Sequence, residues 1–315
     1  MKRQNVKLSL FFFVALSAGG GAYLHWMSRA ADSLGQGVAL NRTSGAILKL
    51  LVLGDQGTGS EHQKAIAESL EAKCKAGVDG VLLLGDNFYP HGVSSVEDPQ
   101  WKTKFEEIYG GPCLLKTPFY VTLGNHDYQG NPLAVIQYSA LSSRWIAPGR
   151  FYSVKFGSLL ELIDFDTSIA DWCFSDKDCS FSFLINSLAK PKSTAWRLVA
   201  GHHPLRSSSL KGFTYDGNDP RAFFMRKAIC GKADIALFGH SHHLEMRRDS
   251  DCKTPYAILG AGGGDIAKVS PNGQPVYLRE GLGFGQLTVT REELNLEFFD
   301  EAGSLLHREK ISPAP

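Results

Sequence analysis

LKLLVLGDQGTGSEHQKAIAESLEAKCKAGVDGVLLLGDNFY, residues 48–89, decides the fold. It opens on Leu48–Leu53, a continuous apolar run closed by Gly54 and Asp55, the pattern of a strand buried on both faces. Ser60 and Gln63 form a capping box and Gly77 a stop, which predicts a helix between them. VDGVLLLGD, residues 78–86, is the next buried strand. With the elements that follow, the order is strand, helix, strand, helix, strand.

Working toward the C-terminus, DPQWKTKFEEIYG (98–110) predicts a helix with Trp101, Phe105 and Ile108 on one face, and PFYVTLGNHD (118–127) a third strand. Residues 150–166, RFYSVKFGSLLELIDFD, alternate like exposed strands, and a Ser- and Asp-rich loop leads to a short helix near FSFLINSLAK (181–190). Three further strands end in polar tips: WRLVAGHHP (196–204), ADIALFGHSHH (233–243) and YAILGAGGGD (256–265). FGQLTVTR (284–291) and ELNLEFFDEAGSLLHREK (293–310) predict a closing hairpin. The economical fold class is α/β, with sheets packed face to face and flanked by helices.

With 315 residues, 43% hydrophobic and 21% charged, the chain has ample material for a core and none of the composition of disorder. Thirty-three basic residues against thirty-two acidic ones leave a net charge of +1, so no electrostatic footprint points to nucleic acid.

Residues 1–31 differ in kind. MKRQNVK is a basic start, residues 8–26 are apolar, and SRAAD puts small residues around a cleavage point after Ala30, the pattern of an export signal. Residues 8–26 come close to the ~20 residues of a membrane span, so the segment is either a cleaved signal peptide or an uncleaved anchor. Lys2, Arg3 and Lys7 outweigh Arg29, which exports the body either way. Residues 32–46 then form a short linker and 47–315 the folded domain, placed in a periplasmic, secreted or lumenal compartment. Six cysteines fit that setting. Cys173 and Cys179 would close a small loop, with buried free thiols as the equal alternative.

Five strand patterns end in chemistry: GDQG with Asp55, GDNFY with Asp86 and Tyr89, GNHD with Asn125, His126 and Asp127, GHHP with His202 and His203, and GHSHH with His240, His242 and His243. In α/β sheets the carboxyl ends of strands meet at one crevice, so residues far apart in sequence converge there. Each cluster alone is weak, since a Gly-Asp turn more often caps a helix and a strand-end histidine more often satisfies a hydrogen bond. GDQGTG lacks the Lys-Ser/Thr ending of a P-loop. Together, the acids, amide and imidazoles make an O/N ligand set suited to iron, zinc or manganese.

The order GDxG, GDNFY, GNHD, GHxP and GHxH, with LGDNFYPHGV, TLGNHDYQGN and ILGAGGG, resembles the calcineurin-type metallophosphoesterases, and specifically the small, tartrate-resistant purple acid phosphatases. The resemblance runs from about residue 48 to the C-terminus. It implies a four-layer β-sandwich of two mixed sheets flanked by helices. It assigns one metal to Asp55, Asp86, Tyr89 and His242, and a second to Asp86, Asn125, His202 and His240, with Asp86 bridging. The implied cofactors are Fe(III) and a divalent Fe, Zn or Mn. The implied reaction is hydrolysis of phosphate monoesters by a hydroxide bound at that dinuclear centre, without a phosphoenzyme. Asn125 and His126 would contact substrate; His126 would be the general acid, its ring oriented by Asp127. A ferric ion acidifies bound water strongly, which predicts an acid optimum.

Tyr89 alone reads as a packed aromatic. Within the five-motif set its phenolate is a hard anionic donor to ferric iron and the source of the family's colour. The chain departs from the family at Lys211, where mammalian members carry a histidine, and at His203, which stands at a usually aromatic position. His243 reads as a support for the ligand pair or as surface. The implied partners are small phosphorylated substrates or phosphoproteins. The alternatives are a phosphodiesterase or nucleotide phosphatase of the same superfamily without the ferric site, and, in another class, a non-catalytic binding module on the same fold.

Overall fold

The computed structural model describes residues 37–168, 179–210 and 220–314. The export segment, Cys173 and Lys211 lie outside them. In chain order the strands are β1 (Val38–Arg42), β2 (Leu48–Leu53), β3 (Gly80–Leu84), β4 (Phe119–Thr122), β5 (Trp145–Ile146), β6 (Tyr152–Phe156), β7 (Leu160–Asp164) and β8 (Trp196–Ala200). They continue as β9 (Ile235–Phe238), β10 (Leu244–Arg247), β11 (Tyr256–Leu259), β12 (Tyr277–Arg279), β13 (Gly283–Val289), β14 (Leu294–Asp300) and β15 (Leu305–Ile311). The helices are α1 (Glu61–Lys75), α2 (Pro132–Gln137), α3 (Ser180–Ala189) and α4 (Pro220–Ile229).

Two mixed sheets result. One has eight strands in the order β1-β6-β7-β8-β9-β11-β10-β12, and the other seven, β15-β14-β13-β2-β3-β4-β5. The parallel runs β2-β3-β4 and β7-β8-β9-β11 sit at their centres, as the apolar runs require. Alternate residues divide the layers. Leu50, Val52, Leu162, Leu198, Leu237, Leu259 and Leu287 fill the space between the sheets. Ile163, Val199, Ala236 and Phe238 face outward onto Leu184 and Leu188 of α3 and Met225 and Ile229 of α4. This period of two turns uninterrupted apolar strands into two buried faces.

The chain departs from the sequence reading at five places. Val38–Arg42, within the stretch expected to be linker, pairs in parallel with β6 as an edge strand. β7, expected to alternate with solvent, is buried along its length because helices cover its outer face. The closing hairpin is a three-stranded meander, because Asp300 anchors a turn by accepting from the backbone of Ala302 and Ser304. The helix around Lys102–Glu106 winds as a π turn, with the Glu107 amide donating to the Lys102 carbonyl. Its buried aromatics are therefore Trp101, Phe105 and Tyr109, while Ile108 is only partly buried. At α1, Gln63 caps the Gly59 amide at 2.7 Å, and Ser60 makes no side-chain cap.

Among the described residues, the disulfides Cys74–Cys113 and Cys230–Cys252 tie α1 and the end of α4 to loops, and no described cysteine is free. Among the described residues no helix is long and apolar enough to cross a membrane.

Candidate metal centre

The sheets meet at the carboxyl ends of their central strands. The Gly54 amide donates to Leu259 across the sheets, Asp55 to Gly85, Gly239 to His202, and Gly264 to the Asp55 carbonyl, at 2.7–3.0 Å. These bonds stitch the loops after β2, β3, β8, β9 and β11 into one floor. Asp55 (φ 59°), Asp86 (φ 55°), His240 (φ 69°) and His242 (φ 46°) all adopt left-handed backbone conformations. Such strain gathers where the surrounding structure fixes a functional group in place.

Two groups of donors converge on that floor. The Tyr89 phenol oxygen lies 3.0 Å from Asp55 Oδ1, 2.9 Å from Asp86 Oδ2 and 3.0 Å from His242 Nε2. Beside it, Asn125 Oδ1 lies 3.1 Å from His202 Nε2 and 3.0 Å from His240 Nδ1, and His202 Nε2 lies 3.4 Å from Asp86 Oδ1. Asp86 thus offers one oxygen to each group. Glycines keep the space open: a Cβ at Gly124 would fall 2.2 Å from Asp86 Oδ1, and one at Gly260 2.6 Å from Asp55 Oδ2.

Outer contacts aim the donors. His202 Nδ1 faces the Leu84 carbonyl and His242 Nδ1 the Asp265 carbonyl, both at 2.7 Å, which leaves each Nε2 lone pair for the centre. The His240 amide holds Asp55 Oδ2 at 2.7 Å. Burial, then the carboxylates of Asp55 and Asp86, push the Tyr89 phenol well above its usual pKa. Burial and then His202 pull His240 down to about 3, whereas at His202 burial is overcome by Asp86, Asp55 and the Leu84 carbonyl together, which lift it to about 9. A cation among these atoms would oppose that shift, because it favours phenolate. Seven hard or borderline donors in two groups sharing one carboxylate fit a pair of metal ions.

All seven expected ligands are therefore brought together. Of His202 and His203, it is His202 whose Nε2 meets Asn125 and Asp86; His203 Nδ1 bonds Thr167 Oγ1 at 2.7 Å, and its ring lies 4.4 Å from that of His240. His243 is fully buried, bonded to Glu245 Oε2 at 2.8 Å, and is not surface.

Asp127 is the correction. It does not touch the His126 ring: its carboxylate accepts from Gly124 N at 2.8 Å and Asn87 Nδ2 at 2.9 Å, tying two ligand loops together. The His126 ring is set by the Pro90 carbonyl, 2.6 Å from Nδ1, and lies against Tyr89 with centroids 4.4 Å apart. Sequence reasoning missed both carbonyls, Pro90 and Asp265, because a backbone oxygen has no sequence signature. It also missed Lys104, which lines the same cavity of about 600 Å³ with Thr58, His126 and Asp265.

A family model described as calcineurin-like phosphoesterase matches residues 48–244. Purple acid phosphatase 3 of Arabidopsis thaliana is 30% identical over 296 residues, 86% of this chain and 79% of that protein. Tartrate-resistant acid phosphatase type 5 of Sus scrofa is 28% identical over 311 residues, 84% of this chain and 87% of that protein. Among solved structures, a purple acid phosphatase from yellow lupin seeds matches with a TM-score of 0.66 at 18% identity, over 86% of this chain and 54% of that one. The anchor in the inner membrane complex of Plasmodium matches at 0.70 and 21% identity, over 85% and 89%. These two structures speak for the fold alone. By fold, motif order and sequence relatives, the chain belongs to the calcineurin-like metallophosphoesterases, and among them to the purple acid phosphatases, metal-dependent hydrolases of phosphoric monoesters.

Proposed function

We propose that this protein is an exported acid phosphatase whose centre holds Fe(III) through Asp55, Asp86, Tyr89 and His242, and a divalent Fe, Zn or Mn through Asp86, Asn125, His202 and His240. The observation that carries this reading is the division of Asp86, with Oδ2 2.9 Å from the Tyr89 phenol and Oδ1 3.4 Å from His202 Nε2. Held by these seven side chains, two cations would supply charge to neutralise phosphate oxygens and to activate a water at acid pH.

The protein's own residues do the rest. With Nδ1 committed to Pro90, His126 turns Nε2 toward the centre, 3.9 Å from Asp86 Oδ2. From there it gives a proton to the leaving alkoxide as the ester bond breaks. The Asn125 amide leaves its NH₂ to donate to a phosphate oxygen while its carbonyl serves the centre. Asp127 supports this arrangement by fixing the Asn125–His126 turn against Asn87. The cavity is open on one side, which suits small phosphorylated substrates or a phosphorylated side chain on a protein. Two disulfides support export, since such bonds persist in oxidising compartments.

Metal analysis and a visible spectrum of the purified protein, followed by phosphate release from an aryl phosphate across pH, test the reading. Two metals, a purple band and turnover peaking below neutrality are expected. Colourless protein with turnover would favour the non-ferric phosphodiesterase or nucleotide phosphatase. Metal-free, inert protein would leave the binding module.

A further inference from the structure

Lys104 stands outside the donor set, yet its placement is specified from several sides. The π turn at Lys102–Glu106 carries it between two buried anchors. Trp101 stacks on Tyr138 with centroids 3.6 Å apart, and Phe105 packs edge-on against Phe119 at 5.2 Å. A π turn costs hydrogen-bond geometry and tends to survive where it aims a functional side chain. Here it lays the lysine stem against Gly59, where a Cβ would come within 3.3 Å of Cγ. Nζ donates to the Tyr89 carbonyl and to Gln100 Oε1. The ammonium thus ties the loop of Asp86 and Tyr89 to Gln100, while the stem lies against the loop of Asp55, at the cavity wall.

Neither acceptor is charged. Among the described residues no carboxylate forms an ion pair with Lys104, and Asp98, whose charge acts on it, is occupied by Ser94 and the Gln100 amide. Burial pulls the lysine's pKa down, with Asp98 opposing. A half-buried ammonium with neutral partners and a third donor to spare favours an incoming anion.

We propose that Lys104 forms a second anion subsite that selects substrates whose leaving group is itself a phosphate, that is, phosphoanhydrides. In their hydrolysis a water oxygen bonds to the phosphorus at the metal centre while the bond from that phosphorus to the bridging oxygen breaks. The departing phosphate keeps the bridging oxygen and its electron pair, and Lys104 offsets the added charge. One water proton is released and the leaving phosphate takes one up, so two phosphates result. The turnover arm of the test rests on the phosphatase reading; the binding arm does not.

Lys104→Met keeps the stem and removes the charge; Lys104→Arg restores the charge. The ratio of kcat/KM for inorganic diphosphate to that for 4-nitrophenyl phosphate is measured for each, with the Kd of methylenediphosphonate by calorimetry. For Lys104→Met the ratio should fall about tenfold and the Kd weaken about tenfold, the scale of one charge-assisted hydrogen bond. Lys104→Arg should stay within about threefold of wild type on both measures. Equal losses on both substrates, with an unchanged ratio, would overturn the subsite and leave Lys104 as a brace for Tyr89. If wild type releases no phosphate from the aryl ester, the function above fails, while a Lys104-dependent diphosphonate Kd still upholds the subsite. A Kd indifferent to Lys104→Met overturns it whatever the turnover.

Discussion

Tyr89→Phe removes one oxygen and leaves the ring, so it separates chemistry from packing. That oxygen sits 3.0 Å from Asp55 Oδ1 and 2.9 Å from Asp86 Oδ2, so in protein stripped of metal it would donate to one of them. A phenol has one proton and donates to one carboxylate at a time, so one charge-assisted hydrogen bond is lost, about 1.5–3 kcal/mol. The neighbouring ring contacts, 4.4 Å to His126 and 5.8 Å to His242, survive in phenylalanine, so no cavity contribution adds to this. Urea titration of the stripped proteins should therefore show a lower midpoint at unchanged slope. Loaded with iron, the variant should lose the visible band that a phenolate ligand produces. A stripped variant at least as stable as wild type, together with a surviving band, would refute the reasoning and return Tyr89 to the core.

His126→Ala should keep both metals and lower turnover by about 10²–10⁴-fold, the range of a general acid, as metal analysis and phosphate release will show. Asp86→Asn replaces one of two shared oxygens with an NH₂ that cannot ligate, so at least one metal should be lost on gel filtration. Asp164 tests a pH dependence remote from the ligands. Burial pushes its pKa well above the usual range, with Asp166 reinforcing and the Thr122 hydroxyl opposing, and its Oδ1 has no partner. A carboxyl raised in the folded state contributes stability that is present below its unfolded pKa of about 4 and is lost as pH rises through the folded value. Asp164→Asn should flatten that decline and stabilise the alkaline end by about 1 kcal/mol, read from denaturation midpoints between pH 4 and 9.

The parts of the molecule legible in sequence are those where side-chain type and local pattern settle the outcome. Leu48–Leu53 and Gly80–Leu84 have no polar residue beyond Lys49, so only a central, doubly covered position suits them. Asp55, Asp86, Asn125, His202 and His240 each follow such a strand, which delivers them to one edge. What stayed hidden depends on neighbours distant in the chain. Leu160–Asp164 looks amphipathic until α3 and α4 cover its outer face. Lys104 reads as one more solvated charge until the π turn and Gly59 turn it inward. Asp127 follows a histidine in sequence, the usual cue for an orienting carboxylate, but the turn at Gly124 points it back at Asn87.

The centre depends on a backbone arrangement that would be unfavourable on its own. Each left-handed L-residue costs about 1–2 kcal/mol, so Asp55, Asp86, His240 and His242 together cost about 4–8 kcal/mol. Asp and His are among the side chains that tolerate this region best, which lowers the figure without removing it. Against it stand the amide bonds Gly54 to Leu259, Asp55 to Gly85, Gly262 to Gly54 and Gly264 to Asp55, all made between loops that carry or support ligands. These bonds join the loops to one another, so the strained positions are held by contacts between neighbouring loops as well as by each loop's own turn. A loop that moved one donor would therefore disturb both groups, because Asp86 offers an oxygen to each.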